Sequence, residues 1–355
     1  MIKTIAVIEG DDAAPEAVRP TIELLGKLNI GLEFVYPAVG EAAERETGSA
    51  FPEASRQIID DADTTFFGST SGNTGNSLRY LRWGKQTYAN VRPCLHLPGC
   101  ASPLKDPDGI DFVIVRENLE DLYVGCEGPI GDLAPLRLVG RTVRRPVHEL
   151  GEGKYAIKII TREATERVVR FAFGLAAKRR NHLTCATKHN MLRGSDGFFL
   201  EVAREVAAEY PDVEFDAFIV DDFACRMIRE PKRFDVVVMP NLYGDILSDA
   251  AGGLLGSLGL AASGCFGDDY AYFEPAHGTA PDIAGRNIIN PTATLLSASM
   301  MLDHLGFARE ALRLRDALLR VYAAARDAGT PDTLTPDQGG NATTTEFCAA
   351  VTAAL

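Results

Sequence analysis

Four continuous apolar runs of strand length, at 5–8, 64–68, 112–115 and 236–239, set the strongest limit on how this chain can fold. They do not alternate apolar with polar residues, so each strand needs cover on both faces, as in a parallel sheet packed between helix layers. The covering layers are legible too. Apolar positions recur at helical spacing over 162–178, 196–209 and 297–326. The first run gives way to Gly10-Asp11 and then Pro15-Glu16-Ala17-Val18, which suits a helix with proline in its first turn. We therefore expect an α/β protein with a central, mostly parallel sheet. At 355 residues there is room for two domains or for one large domain with two lobes. The irregular stretch 125–153, rich in Gly, Pro and Arg, reads as a surface arm or lid.

Composition removes several function classes. Hydrophobic residues at 46% and charged residues at 24% are ordinary globular values and exclude a disordered or fibrous chain. Thirty-six basic against forty-nine acidic residues leave a net charge of −13, a field that repels a phosphate backbone, so no nucleic-acid partner is expected. No apolar run reaches the ~20 residues of a membrane helix, and the opening is too short for a signal peptide before Glu9-Gly10-Asp11. A cytoplasmic protein without a membrane partner is expected. The seven cysteines are scattered and contain no Cys-x-x-Cys pair, so buried reduced thiols are expected rather than disulfides or a zinc knuckle.

The chemistry concentrates in a few segments. Asn241-Leu-Tyr-Gly-Asp245-Ile-Leu-Ser-Asp249 follows a buried strand and opens a helix, where a spacing of four puts both carboxylates on one face. Such a pair fits a hard divalent cation, and it fits helix capping as well. Val220-Asp221-Asp222 supplies a third acid at a strand end, where ligands collect in α/β folds. Arg79, Arg82, Arg92 and Arg116 stand at turns and element ends and suit bidentate capture of several carboxylates. Tyr123, Lys188 and Asp221 are candidate acids and bases, provided their pKa values are moved toward neutrality. The loop Phe273-Glu-Pro-Ala-His277-Gly-Thr-Ala-Pro-Asp282-Ile-Ala-Gly285 reads as a ligand loop. No Gly-x-Gly-x-x-Gly or Walker sequence is present.

In this order, Tyr-Ala-Asn-Val-Arg92-Pro, Val-Arg116-Glu-Asn-x-Glu-x-x-Tyr123, Ala-Thr-Lys188-His-Asn190, the segment from Asn241 to Asp249 and the segment from Glu274 to Gly285 resemble the β-decarboxylating dehydrogenases. This family comprises isocitrate, homoisocitrate, 3-isopropylmalate and tartrate dehydrogenases, and the resemblance runs nearly end to end. It implies an isopropylmalate dehydrogenase-like two-lobed fold. The large, cofactor-side domain would be 1–97 with 258–355. The small domain, 98–257, would carry the dimer contacts, the metal site and an arm at about 126–153. It implies a homodimer with shared active sites, any higher oligomer being left open, and a di- or tricarboxylate-type substrate.

By the same resemblance, Arg82, Arg92 and Arg116 hold the malate carboxylates, and Asp245 and Asp249 with Asp221 of the partner subunit bind Mg²⁺ or Mn²⁺. Lys188 of the partner subunit is the base for the C2 hydroxyl, and Tyr123 is the acid that protonates the enol carbon. The cofactor positions implied are Ser71, Asn90, Asn190, His277, Gly278, Thr279, Ala280, Asp282, Ile283 and Asn290, with Asp282-Ile283 matching the members that use NAD rather than NADP.

The third malate substituent is expected to meet Asn76, Leu78 and Arg79, because Asn76-Ser-Leu-Arg-Tyr-Leu-Arg82 resembles bacterial homoisocitrate dehydrogenases. An arginine against an isopropyl group would stay buried and unpaired, so Arg79 argues for an anionic arm: homoisocitrate, isocitrate or a phosphonomethylmalate. A 3-isopropylmalate or tartrate/D-malate dehydrogenase is the alternative, and a non-catalytic regulatory subunit is the alternative of another class. The chain departs from the family in Gly10-Asp-Asp-Ala-Ala-Pro-Glu16, which replaces Gly-Asp-Gly-Ile-Gly-Pro-Glu, in Thr187, in Gln86 and in a longer arm.

Overall fold

A computed structural model describes residues 2–329 and 331–355. Ten strands form one sheet. They are β1 (Lys3–Ile8), β2 (Leu32–Val35), β3 (Thr64–Phe67), β4 (Ala89–Leu95), β5 (Asp111–Glu117), β8 (His182–Thr187), β9 (Glu214–Ile219), β10 (Val236–Met239), β11 (Ala262–Phe266) and β12 (Ala271–Pro275). Their spatial order is β2-β1-β3-β12-β11-β4-β5-β10-β8-β9. The expected parallel pairing holds in both wings, where β1 pairs with β2 and β3, β12 with β3, β10 with β5 and β8, and β8 with β9. The centre differs: β11 runs antiparallel to both β12 and β4, and β4 antiparallel to β5. Strands from 3–95 and 262–275 make one wing and strands from 111–239 the other, so the chain crosses the sheet at the β4–β5 seam and returns.

Helices α1 (Ala14–Lys27), α2 (Gly40–Thr47), α3 (Glu53–Asp61) and α4 (Gly75–Arg79) belong to the first wing, and α5 (Arg162–Ala176), α6 (Asp196–Ala207), α7 (Val220–Arg229) and α8 (Asn241–Leu255) to the second. The chain closes with α9 (Thr292–His304), α10 (Ala308–Ala328) and α11 (Thr344–Ala354). β10 shows why the runs are apolar throughout. Val237 and Met239 enter the core shared with α9 and α10, while Val236 and Val238 point the other way, onto Val169 and Phe173 of α5. The helical pattern at 297–326 is two helices, not one, because Gly306 takes φ +89° and turns the chain between α9 and α10.

The arm holds a two-stranded ribbon, β6 (Glu127–Pro129) against β7 (Lys154–Ala156), with 3₁₀ turns between. All seven cysteines are free, but Cys126 and Cys225 are exposed, contrary to the expectation of buried thiols: each sits on an irregular or solvent-facing part of the surface rather than in a strand. Among the described residues no helix is long and apolar enough to cross a membrane.

A cationic cleft and candidate active site

The cleft opens where strand ends meet, at the C-terminal ends of β3, β5 and β12 and the first turns of α8, as open α/β sheets dictate. It has a volume of about 360 Å³ and is walled by Arg82, Arg92, Arg116, Tyr123, Asp245, Glu274 and His277. Arg116, next to last in β5, is almost fully buried, at 2% exposure. Its Nε donates to Asn241 Oδ1 at 2.7 Å and its Nη1 to the Asp245 carboxylate. The approach of α8 to β5 depends on Gly244, where a Cβ would lie 2.5 Å from Arg116 Cβ. Arg92 Nη1 donates to Ser248 Oγ at 3.0 Å and to Asp249 Oδ1 at 2.9 Å, and Arg82 donates to Tyr272 Oη and Glu274 Oε1 at 3.1 and 3.2 Å.

Three guanidiniums, buried at Arg92 and Arg116 and partly buried at Arg82, therefore face three carboxylates, half-buried at Asp245 and Asp249 and buried at Glu274, and the charges neutralise one another. Burial, and next the neighbouring Arg92, push Arg116 down to about 10 in spite of Asp245. Burial would raise Asp245, but Arg116 and the Tyr123 hydroxyl hold it below the ordinary carboxylate value. Asp249 stays raised, by burial first, although Arg92 opposes it. Tyr123 Oη donates to Asp245 Oδ2 at 2.7 Å, and burial together with that bond raises its pKa, opposite to the shift toward neutrality expected from sequence.

Asp245 and Asp249 stand on successive turns of α8 and offer the hard oxygen donors that Mg²⁺ or Mn²⁺ prefers. Asp221 does not join them in the chain. It receives a hydrogen bond from Lys188 Nζ at 2.5 Å, exposed at the first turn of α7, and no group of three candidate metal ligands forms among the described residues. Lys188 and Asp221 line none of the cleft, and Asn190, exposed two residues past Lys188, does not either.

A second groove of about 350 Å³ adjoins the cleft through His277 and Gly278 and includes Ala280, Ile283, Asn290 and Asp337. His277 Nδ1 lies 2.8 Å from the Gly278 carbonyl oxygen and so carries the proton; burial lowers its pKa, and its buried Nε2, an acceptor, has no partner among the described residues. That free acceptor and the apolar groove suit an adenine nucleotide. Asp282 lies exposed in the 3₁₀ turn Pro281–Ile283 beside the groove, and Thr279 is buried, its carbonyl accepting from Ala13 N at 3.1 Å. In the Gly10 loop Asp12 adopts φ +52°, which an aspartate tolerates, and Glu16 accepts from Gly285 N and Asn287 N at 2.5 Å each.

Other sequence candidates are placed differently. Asn90 is fully buried, accepting from Arg92 Nε and Ser263 Oγ at 3.2 and 2.9 Å, so it braces Arg92 instead of facing the cleft. Ser71 is exposed, its N–H donating to Asp11 Oδ2 at 2.8 Å. Leu78 lines the cleft, whereas Arg79 lines an outer chamber of about 560 Å³ that shares Leu78, Arg82, Trp83 and Tyr123 with it, and Asn76 lies one chamber further out. Sequence reasoning passed over Glu274 and Trp83. Glu274 stood inside the quoted Glu-Pro-Ala-His motif, and Trp83, the only tryptophan, sits directly between Arg82 and Gly84.

Comparison with known proteins agrees with this geometry. A profile of the family described as isocitrate/isopropylmalate dehydrogenase matches residues 4–351. The chain is 41% identical over 350 residues to the 3-isopropylmalate/3-methylmalate dehydrogenase of Methanocaldococcus jannaschii, covering 97% of this chain and 96% of that protein. It is 40% identical over 362 residues to the isocitrate/homoisocitrate dehydrogenase of Thermus thermophilus, covering 100% and 99%. The crystal structure of isocitrate dehydrogenase from Methylococcus capsulatus superposes with a TM-score of 0.85 at 34% identity, covering 99% of each chain. The chain belongs to the isocitrate/isopropylmalate dehydrogenase family of NAD-dependent, decarboxylating oxidoreductases.

Proposed function

We propose that the protein oxidatively decarboxylates a 3-substituted (2R)-malate whose third substituent is anionic, as in homoisocitrate or isocitrate, using NAD and Mg²⁺ or Mn²⁺. One observation carries the choice of arm. Arg82, Arg92 and Arg116 each already face a carboxylate of the chain, whereas Arg79, exposed rather than buried as the sequence argument assumed, has none among the described residues; it contacts Asn76 Oδ1 at 3.5 Å. A cation left free beside the cleft is matched by an anion on the substrate.

In this reading Arg82, Arg92 and Arg116 orient the two malate carboxylates, so the C2 hydrogen faces the cofactor groove beyond His277. Lys188 of the partner subunit accepts the C2 hydroxyl proton, and the C2 hydrogen leaves as hydride. The 3-carboxylate then departs as CO₂, and Tyr123 Oη donates a proton to the carbon it leaves. Asp245 and Asp249 with Asp221 of the partner subunit would hold the divalent cation, which would supply Lewis acidity at the C2 oxygen. The groove of His277, Gly278, Ala280, Ile283 and Asn290 would hold NAD, which would supply the acceptor for that hydride. The exposed Lys188–Asp221 pair supports a homodimer, because both groups have the chemistry of the site and neither lines the cleft of their own chain. Asp282 supports NAD over NADP, since a carboxylate accepts from ribose hydroxyls and repels a 2′-phosphate. The strand order, which parts at the β4–β5 seam, supports 1–97 with 258–355 as one domain and 98–257 as the other.

The test is NADH formation with Mg²⁺ on homoisocitrate, isocitrate, phosphonomethylmalate, 3-isopropylmalate, tartrate and D-malate. The reading predicts the largest kcat/KM for an anionic arm. The largest value for 3-isopropylmalate refutes it, and NAD binding without turnover of any substrate supports a regulatory subunit instead.

A further inference from the structure

Beyond Arg79 the site does not end. α4 runs into a π-turn, Tyr80–Gly84, in which Lys85 N donates to Tyr80 O at 2.9 Å, and such turns concentrate at functional sites. Gly84 makes the turn compact, since a Cβ there would meet the Tyr80 ring at 2.5 Å. Tyr80 is pinned further by its hydroxyl, which donates to Asp60 at 2.7 Å. The turn leaves Trp83 37% exposed, with its indole fixed by Nε1 donating to Leu119 O at 3.1 Å. Trp83 thus lines the cleft, the outer chamber and a third chamber of about 450 Å³.

The third chamber holds a second cation. Arg56 lies with its guanidinium 5.3 Å from the Phe51 ring centroid and 5.6 Å from that of Tyr80, which directs an otherwise mobile side chain. Its carboxylate contact, Glu53 at 3.6 Å, is an exposed pair one helical turn away and holds it weakly. Arg79 and Trp83 are walls common to both outer chambers, and Ser49 and Asn76 add hydrogen-bonding groups to the further one.

From this arrangement we propose that the substrate arm is longer than the single methylene of isocitrate, its hydrocarbon stem lying along Trp83 and its anionic head held between Arg79 and Arg56. The inference rests on the proposed function and extends it to two residues, Arg56 and Trp83, that set arm length. The chemistry at the head is that of a carboxylate or a phosphonate, and two guanidiniums favour the more highly charged one.

The experiment measures kcat/KM of the full-length enzyme with NAD and Mg²⁺ on malates bearing arms of one, two and three methylenes that end in carboxylate, and on the matching phosphonates. Wild type is expected to improve as the arm lengthens. Arg56→Gln is expected to lose at least about ten times more activity on the longest arm than on isocitrate, Arg56→Lys to recover part of that loss, and Trp83→Ala to flatten the length dependence. A wild-type optimum at one methylene with a clear preference for anionic arms overturns this inference alone. An equal effect of Arg56→Gln on every arm overturns it too. A preference for 3-isopropylmalate removes it together with the proposed function.

Discussion

Gly244→Ala tests whether the position of Arg116 is set by the closeness of α8 to β5. The added methyl would lie 2.5 Å from Arg116 Cβ, 2.6 Å from its Cγ and 3.1 Å from its Cα. Carbon atoms rest at about 3.5–4.0 Å, so either α8 must back away or Arg116 must shift by roughly 1 Å. Arg116 has little freedom, since its Cβ is fixed to a central strand and its head is held by Asn241 and Asp245. Overpacking of this kind costs about 1–3 kcal/mol, of which alanine's helix propensity returns up to about 1 kcal/mol. The variant should therefore fold, about 1–2 kcal/mol less stable. Activity should suffer far more, because a 1 Å misplacement of a positioning group is worth roughly 100-fold in kcat/KM. The comparison variant is Gly174→Ala in α5, where a Cβ meets nothing within 4 Å. It should gain about 0.5–1 kcal/mol and keep its kinetics. Urea unfolding and steady-state NADH formation measure both. Wild-type kcat/KM in Gly244→Ala refutes the reasoning, and so does a loss of activity as large in Gly174→Ala.

Glu274→Gln keeps the shape at Arg82 but removes its buried counter-charge; stability should fall by about 1–3 kcal/mol in urea and KM for substrate should rise, whereas an unaltered midpoint contradicts the pairing. Glu117, which follows Arg116, accepts from Leu119 N and Glu120 N, yet burial pushes it up from 4.5 to about 7. The fold thus favours the neutral acid. Its contribution is complete below pH 4.5 and is lost as pH rises through 7. The stability difference between Glu117→Gln and wild type should therefore grow in favour of the variant, by on the order of 3 kcal/mol between those limits; parallel pH curves exclude the shift. Mixing inactive Tyr123→Phe and Lys188→Met dimers should restore about a quarter of wild-type activity through hybrid dimers with one intact site, and no recovery after subunit exchange places Lys188 outside the partner's cleft.

What the sequence made legible follows from what each pattern reports. The helical spacing of Asp245 and Asp249 and the strand-end position of Arg116 are local facts, and the structure brings Arg82, Arg92, Arg116, Tyr123 and Asp245 to one cleft. Continuous apolar runs announced two-sided burial but not strand direction, so the antiparallel centre at β11 was invisible; direction depends on connections between distant segments. The break at Gly306 did carry a signal, a glycine placed to end a helix, which the apolar periodicity on either side masked. Asn90 shows a role that the motif did not announce, since its side-chain oxygen braces the arginine two positions away. Trp83 was hidden because its role depends on a π-turn, whose five-residue hydrogen bond leaves no periodic trace in sequence.

The most direct measurement is a crystal structure of the enzyme with Mg²⁺ and homoisocitrate. The account predicts the malate carboxylates on Arg82, Arg92 and Arg116, a cation between Asp245, Asp249 and Asp221 of the partner subunit, and the arm carboxylate in contact with Arg79. A bound substrate with no cation at those aspartates, or with Arg79 turned into solvent, contradicts it.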